Sequence, residues 1–325
     1  MKKYLFLTLF LLLPAYTQAI QILHTEDRKS LKAELITQLQ EAKDSILVFT
    51  FTFSDPDLLQ ILDQKAKDGL DVSVVIDKDH MQPLQAIHNP QITLITRQTG
   101  EGRIHHKILV IDNRHIWIGS LNFTDSACTH QENVMLSFDC PQLAAILEKE
   151  KEAFLGTHAR SHLETNEFLV DSKALFFGLL PHDGFPAKRE ETLINKTSKN
   201  RLLDAIGQAK TRIQIAMMVW TDQELTRAIC AAHQRGVLVE VVSQDFGGEI
   251  PILQKAGIHV IANTKSSLMH NKCMIIDESI FMNGSANWSK SSFTRNDESF
   301  VILYALDEEQ RLLLQQYWNY LKMGN

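Results

Sequence analysis

A pattern of six residues, H-x-K-x4-D-x6-G-S-x-N, occurs twice in this chain. Its first copy is His105, Lys107, Asp112, Gly119, Ser120 and Asn122, and its second is His270, Lys272, Asp277, Gly284, Ser285 and Asn287. If each position matched about one time in twenty, one copy at a given site would be rarer than about one in ten million. Two copies therefore mean duplication. The flanks agree: Ala42-Lys43 aligns with Ala209-Lys210, Ile46 with Ile213, Asp55 with Asp222, Leu58 with Leu225 and Gly69 with Gly236, all 167 residues apart. Such a chain folds as two alike units, each contributing one copy of the motif.

Periodicity gives each unit the same order of elements. A helix (31–42; 201–210) leads to a strand (46–53; 213–220), then to a second helix behind an acidic cap (57–67; 222–234). Strands follow at 72–76 and 237–242 and at 92–95 and 259–261, then the motif, then a closing helix at 143–154 and 307–321. The alternation predicts a layered α/β fold in each half, with the two motifs meeting between the halves.

Within each motif an aliphatic run (108–111; 274–276), a polar turn and a second run (116–118; 280–282) read as a hairpin. His105 and Lys107 then share a face, as do His270 and Lys272. With Asn113-Arg114 as a two-residue loop, Lys107 falls opposite Ser120 and His105 opposite Asn122. Lys272 and Ser285, and His270 and Asn287, match in the same way, with a register one residue away left open. Asp112 and Asp277 have the other parity and read as structural, together with Gly119 and Gly284. Two imidazoles flanking a hole lined by ammonium and carboxamide groups suit a phosphodiester.

These residues resemble the phospholipase D superfamily, whose two H-x-K-x4-D motifs meet at one site. The resemblance covers nearly the whole chain after its N-terminal stretch. It implies two homologous α/β/α sandwich halves related by a pseudo-two-fold axis, and one site completed within a single chain. It also implies metal-free, cofactor-free phosphodiester hydrolysis in two steps. One histidine attacks phosphorus to form a phosphohistidine, and the other protonates the leaving oxygen and then activates water. By the family's habit His105 is the nucleophile and His270 the acid and then the base. Lys107, Ser120, Asn122, Lys272, Ser285 and Asn287 would hold the phosphate oxygens. An acidic residue beyond G-S-x-N fixes each histidine's tautomer. Glu132, in His130-Gln131-Glu132-Asn133, and Glu298, in Asn296-Asp297-Glu298-Ser299, stand in that place, although His130 replaces the usual asparagine.

The N-terminal stretch has its own character. Lys2 and Lys3 precede an apolar run over 4–13, then Pro14 and small or polar residues to Ala19. This is the pattern of a cleaved export signal at 1–19, with cleavage near Ala19 and a periplasmic or secreted product. The run is shorter than the roughly 20 residues that span a bilayer. The remainder divides into a first half at 20–155, a polar linker at 156–172 and a second half at 173–325. The apolar run 174–181 is the second half's first strand or a lip touching lipid; if it is a strand, 20–23 is its match. At 44% apolar and 22% charged over 325 residues, the chain can fill two cores.

Cys128, Cys140, Cys230 and Cys273 could oxidise after export, but the sequence does not pair them, and Cys273 reads as a buried filler. No Cys-x2-Cys pair occurs, and the neighbours His105 and His106 face opposite ways on a strand, so no metal site is expected. Of the glycosylation patterns at Asn122, Asn195 and Asn287, sugar at the first or third would block the motif site. Asn195 is left as the acceptor.

Substrate class stays open between phospholipid, with peripheral membrane contact, and nucleic acid. A net charge of −6 does not favour gathering a polyanion. The form G-S-x-N-[FW]-[ST], here Asn122-Phe123-Thr124 and Asn287-Trp288-Ser289, resembles secreted nucleases and mitochondrial-type members of the superfamily. A phospholipase D-type hydrolase leads and a nuclease follows. An inactive relative that binds either ligand is the third reading.

Overall fold

The computed structural model describes residues 19–26, 28–97, 102–155, 167–180, 193–244 and 247–323. The export signal expected at 1–19 lies outside them except for Ala19, as does most of the expected linker. The first half runs β1 (Gln21–His24), α1 (Arg28–Glu41), β2 (Ser45–Thr50), α2 (Pro56–Lys67), β3 (Asp71–Ile76), α3 (Gln82–Gln85) and β4 (Ile92–Ile95). It continues through β5 (Lys107–Ile111), β6 (His115–Gly119), α4 (Asp125–Thr129), β7 (Gln131–Glu132), β8 (Val134–Asp139) and α5 (Pro141–Phe154). The second half runs β9 (Glu167–Val170), β10 (Lys173–Leu180), α6 (Leu193–Gln208), β11 (Arg212–Met217), α7 (Gln223–Gln234), β12 (Leu238–Ser243), α8 (Ile250–Lys255) and β13 (His259–Ala262). It closes with β14 (Leu268–Met269), β15 (Lys272–Ile276), β16 (Ile280–Gly284), α9 (Lys290–Thr294), β17 (Glu298–Tyr304) and α10 (Glu308–Lys322).

Both halves build one mixed sheet in the same order. The first is β1-β8-β6-β5-β2-β3-β4; the second, read from its matching edge, is β10-β17-β16-β15-β11-β12-β13 with β9 added outside β10. The run 174–181 is thus a strand, and β1 is its counterpart: β1 pairs with β8 as β10 pairs with β17. The second sheet also starts before residue 173, because β9 pairs with β10 in the stretch expected to be linker.

Strand sequences explain the layering. In β2, Ile46 and Val48 face a cluster with Leu35, Leu58 and Leu62 of α1 and α2, whereas Leu47 and Phe49 face the other way. A sheet buried on both faces reads as a continuous apolar run, which is what β2, β5 and β6 show. The second sheet packs its outer face on α6 and α7 through Ile213, Ile215, Leu202 and Ile229. The inner faces share a single core in which Phe49, Ile108, Ile116 and Phe138 join Phe177, Ile275, Phe281 and Val301, closed by α5 and α10. The layers therefore run helix, sheet, sheet, helix, and the motif hairpins β5–β6 and β15–β16 lie at the seam.

The hairpins differ from the expected register by one residue. Ile111 pairs with His115 and Ile108 with Ile118, and Ile276 pairs with Ile280. The loops are therefore three residues long, Asp112-Asn113-Arg114 and Asp277-Glu278-Ser279. Their first two residues take left-handed backbone angles, with φ of 52° and 51° in the first and 51° and 54° in the second. The short polar side chains of Asp112, Asn113 and Asp277 tolerate that region, Glu278 adopts it with no such help, and a three-residue loop twists the strands correctly. Asp112 accepts the backbone N–H groups of Lys43, Asp44 and Ser45 at 2.8–3.1 Å. Asp277 does the same for Lys210, Thr211 and Arg212 at 2.8–2.9 Å. Both stitch the turn to the start of the neighbouring strand, at the opposite end of the hairpin from the histidines.

All four cysteines are free thiols. Cys128 packs in the outer cluster of the first half and Cys140 in the central core, so a sheet separates this nearest pair in sequence. Among the described residues no helix is long and apolar enough to cross a membrane.

Candidate active site

Each motif histidine is positioned by the opposite half. His105 precedes β5 and stands outside the hairpin ladder; its N–H donates to the Asp297 carbonyl at 2.8 Å, beside a bridge between Ile104 and Asp297. His270 follows β14, which pairs in parallel with β7, and its N–H donates to the Glu132 carbonyl at 3.0 Å. The predicted pairing of each histidine with its motif asparagine gives way to these contacts across the seam.

The ring partners also cross over, and they are unequal. His105 Nδ1 lies 2.8 Å from Glu298 Oε2. His270 Nδ1 lies 2.9 Å from Asn133 Oδ1 and 3.1 Å from the Ser120 carbonyl. Glu132, expected behind a histidine, is one residue out of place. Its Oε1 takes the hydroxyls of Ser267 at 2.6 Å and Tyr320 at 3.2 Å and pairs with Lys265 at 3.5 Å. Glu132 is the equivalent of Asp297, which pairs with Arg97. Counting thirteen residues on from the motif serine finds the correct pair, Asn133 after Ser120 and Glu298 after Ser285.

Ser120 and Ser285 are committed to those acceptors rather than to an open phosphate site. Ser120 Oγ donates to Asn133 Oδ1 at 2.9 Å and Ser285 Oγ to Glu298 Oε2 at 2.6 Å. Gly119 and Gly284 precede them where the next strand runs close. A side chain at Gly119 would strike the Val134 carbonyl, and one at Gly284 the Ser299 carbonyl. Asn283 Nδ2 crosses the seam to the same Val134 carbonyl at 3.0 Å.

Lys107 and Lys272 are wholly buried, and each ammonium donates to the carbonyl of its own histidine. Burial pushes Lys107 down from 10.5 to about 7 against the pull of Glu298. Lys272 is driven well below its ordinary value by burial and then by Lys107. His105 is lowered, first by burial and then by Lys107 and Lys272, with Glu298 opposing. His270 falls well below the ordinary imidazole value through burial, Lys272, Lys107 and His105 in turn. Burial alone would raise the Glu298 carboxyl, but His105, Lys107 and the Ser285 hydroxyl hold it below its usual value, so it is ionised. Through the contacts of His105 with Asp297 and Glu298 and of His270 with Glu132 and Asn133, both histidines lie along the seam between the halves, each with its motif lysine two residues on. Asn122 and Asn287 bring buried amide oxygens without a hydrogen-bond partner. A centre crowded with suppressed cations is built for an anion.

The family model described as "Cardiolipin synthase, PLD-like domain" matches residues 35–155 and again 202–322. The chain belongs to the phospholipase D-like family. Among curated proteins it resembles mitochondrial cardiolipin hydrolase of Canis lupus familiaris, 34% identical over 38% of this chain and 50% of that protein. It also resembles cardiolipin synthase of Clostridium perfringens, 25% identical over 89% of this chain and 68% of that one. The chain spans about half the length of the cardiolipin hydrolases it matches first. Phosphatidylserine synthase of Haemophilus influenzae shares the fold, with a TM-score of 0.67 at 15% identity over 93% of this chain and 85% of that one. The phospholipase D-like halves described above are thus a known architecture.

Proposed function

We propose that this phospholipase D-like chain hydrolyses phospholipid headgroup diesters through a phosphohistidine, without a metal or other cofactor, at a site completed within one chain. The observation that carries the reading is the crossed pair of histidines with unequal support. Ionised Glu298 fixes the Nδ1–H tautomer of His105, leaving Nε2 as a lone pair, and it stabilises the positive charge that appears on the ring as phosphorus is attacked. His270 rests on a neutral carboxamide, so its protonated form is a strong acid, suited to giving a proton to the leaving oxygen and then taking one from water. His105 is therefore the nucleophile and His270 the acid and base. Lys107, Lys272, Asn122 and Asn287 hold the non-bridging oxygens as charge grows on them.

An anionic diester compensates the crowded cations, so substrate binding raises the suppressed pKa values and charges the site as it fills. Nuclease activity is the competing reading, suggested by the Phe123 and Trp288 positions. Phe123 packs on Phe53 and Trp288 on Trp220, both within the cores, so neither offers a platform for a base.

The test is a parallel assay on mixed phospholipid vesicles, single- and double-stranded nucleic acid and bis(p-nitrophenyl) phosphate, with excess EDTA present and absent. Vesicle turnover that EDTA leaves intact supports the reading, as does its loss in folded His105→Asn and His270→Asn with phosphoryl label trapped on His105 alone. Turnover of nucleic acid only, or activity that returns with added divalent metal, would reject it. We also propose export of the mature chain, tested by fractionation and by sequencing its N-terminus.

A further inference from the structure

Each motif histidine enters the site on a lead-in segment gripped from both halves, and the two grips are built alike. Ile104, before His105, bridges to Asp297, and Met269, before His270, pairs with Glu132. On the near side, the Ile104 N–H donates to Asp77 Oδ2 at 3.0 Å and the Met269 N–H to Gln244 Oε1 at 2.8 Å, from equivalent places just after β3 and β12. On the far side, the Asp297 and Glu132 carbonyls accept the histidine N–H groups at 2.8 Å and 3.0 Å. One acid of the opposite half therefore fixes the backbone path to each imidazole.

The side chains of those two acids reach back across the same seam. Asp297 pairs with Arg97, which belongs to the half that carries His105. Glu132 Oε1 pairs with Lys265 Nζ at 3.5 Å and accepts the Ser267 hydroxyl at 2.6 Å, both from the half that carries His270. Asp297 is 0% exposed and Glu132 2%, so either carboxylate would be costly to leave without its cation and would turn toward another donor. Lys265 is itself anchored: its ammonium donates to the Tyr320 carbonyl at 2.6 Å and lies 3.7 Å from the centre of the Tyr320 ring, whose hydroxyl reaches Glu132 Oε1 at 3.2 Å. Asp297 and Glu132 are also chain neighbours of Glu298 and Asn133, which hold the imidazole rings. A pair that slackens shifts both supports of one histidine together.

We propose that Lys265 with Glu132 and Arg97 with Asp297 are positioning pairs that aim His270 and His105 separately, so that each pair governs its own step of the reaction. The proposal rests on the phosphohistidine reading above. In the first step a bond forms between His105 Nε2 and phosphorus while the bond to the leaving oxygen breaks, and His270 gives that oxygen a proton. In the second, a water oxygen bonds to phosphorus while the phosphorus–nitrogen bond breaks, and His270 takes the proton of the water. A leaving group as acidic as p-nitrophenol departs without a proton, so with it His270 matters to the second step alone. Loosening Lys265 from Glu132 then slows dephosphorylation and spares attack. Loosening Arg97 from Asp297 slows attack itself.

Rapid mixing of bis(p-nitrophenyl) phosphate with each variant reads the two steps apart. Lys265→Met should release the first nitrophenolate as fast as the unaltered enzyme and then turn over about ten- to a hundredfold more slowly, with phosphoryl label accumulating on His105. Glu132→Gln, which keeps an oxygen for Ser267 and Tyr320, should do the same, whereas Lys265→Arg, which keeps the charge, should restore turnover. Arg97→Met should slow the first release and accumulate no label. Proportional losses of first release and turnover in both Lys265→Met and Glu132→Gln would overturn the assignment, as would label accumulating in Arg97→Met. Heteronuclear NMR of the histidine rings needs no substrate. Lys265→Met should move the His270 signals and spare those of His105, and Arg97→Met should do the reverse. Such shifts in a chain that releases no nitrophenolate keep the positioning pairs and reject the hydrolase; rings unmoved in both variants reject the pairs whatever the chain turns over.

Discussion

At the scale of single residues the site is costly to keep. Lys107 titrates near 7 in the folded chain against 10.5 in its ordinary setting, so protonation favours the unfolded state. The cost is fully present below about pH 7 and fades as pH rises toward 10.5. Lys107→Met should therefore abolish turnover yet stabilise the fold by about 1–4 kcal/mol at neutral pH. Denaturant melts at pH 6 and pH 10 check this, with a smaller gain expected at the higher value. The same group gains affinity for an anion by taking up a proton, so diester binding to His105→Asn should weaken as pH rises above about 7. Asn133→Asp would give His270 the charge that Glu298 gives His105. With His270 as the proposed acid, the alkaline limb of kcat follows the loss of its proton and should then move up by about one pH unit. An unmoved limb in a folded variant would contradict the role given to Asn133. The motif histidines, lysines and asparagines were legible in the sequence because their types and spacing repeat. Asn133 was not, because Glu132 beside it has the expected chemistry, and only the count from Ser120 reveals the displacement.

At the scale of elements, the strands and helices followed from apolar patterning, and β10 emerged as a strand opposite the place of β1. The hairpin register did not follow, since Asn113-Arg114 suits a two-residue loop. The left-handed angles at Asp112 and Asn113, fixed by three backbone N–H groups on the Asp112 carboxylate, select the longer one. That extra residue puts Lys107 opposite Gly119, where β8 comes close. Gly119→Ala should push β6 from β8, costing about 1–3 kcal/mol by overpacking and lowering kcat more than it raises KM. Chemical denaturation with steady-state kinetics measures both, and a neutral variant would show that the close approach is not needed.

At the scale of the whole molecule, sequence indicated two halves but not which residues of one complete the other. Periodicity describes a strand's own faces and is silent about a partner far along the chain, such as Glu298 behind His105 or Asn133 behind His270. If one chain completes one site, mixing His105→Asn with His270→Asn should restore no activity at any protein concentration. Recovery would show that halves exchange between molecules.

The crossed support has one more consequence. A protein of half this length, carrying a single motif, would have its ring support only after meeting a second copy, and dilution would silence it. Joining the copies replaces that encounter with closure inside one polymer, at an effective concentration set by the connecting segment. Turnover per molecule should then stay constant however sparse the protein becomes in the compartment where it works.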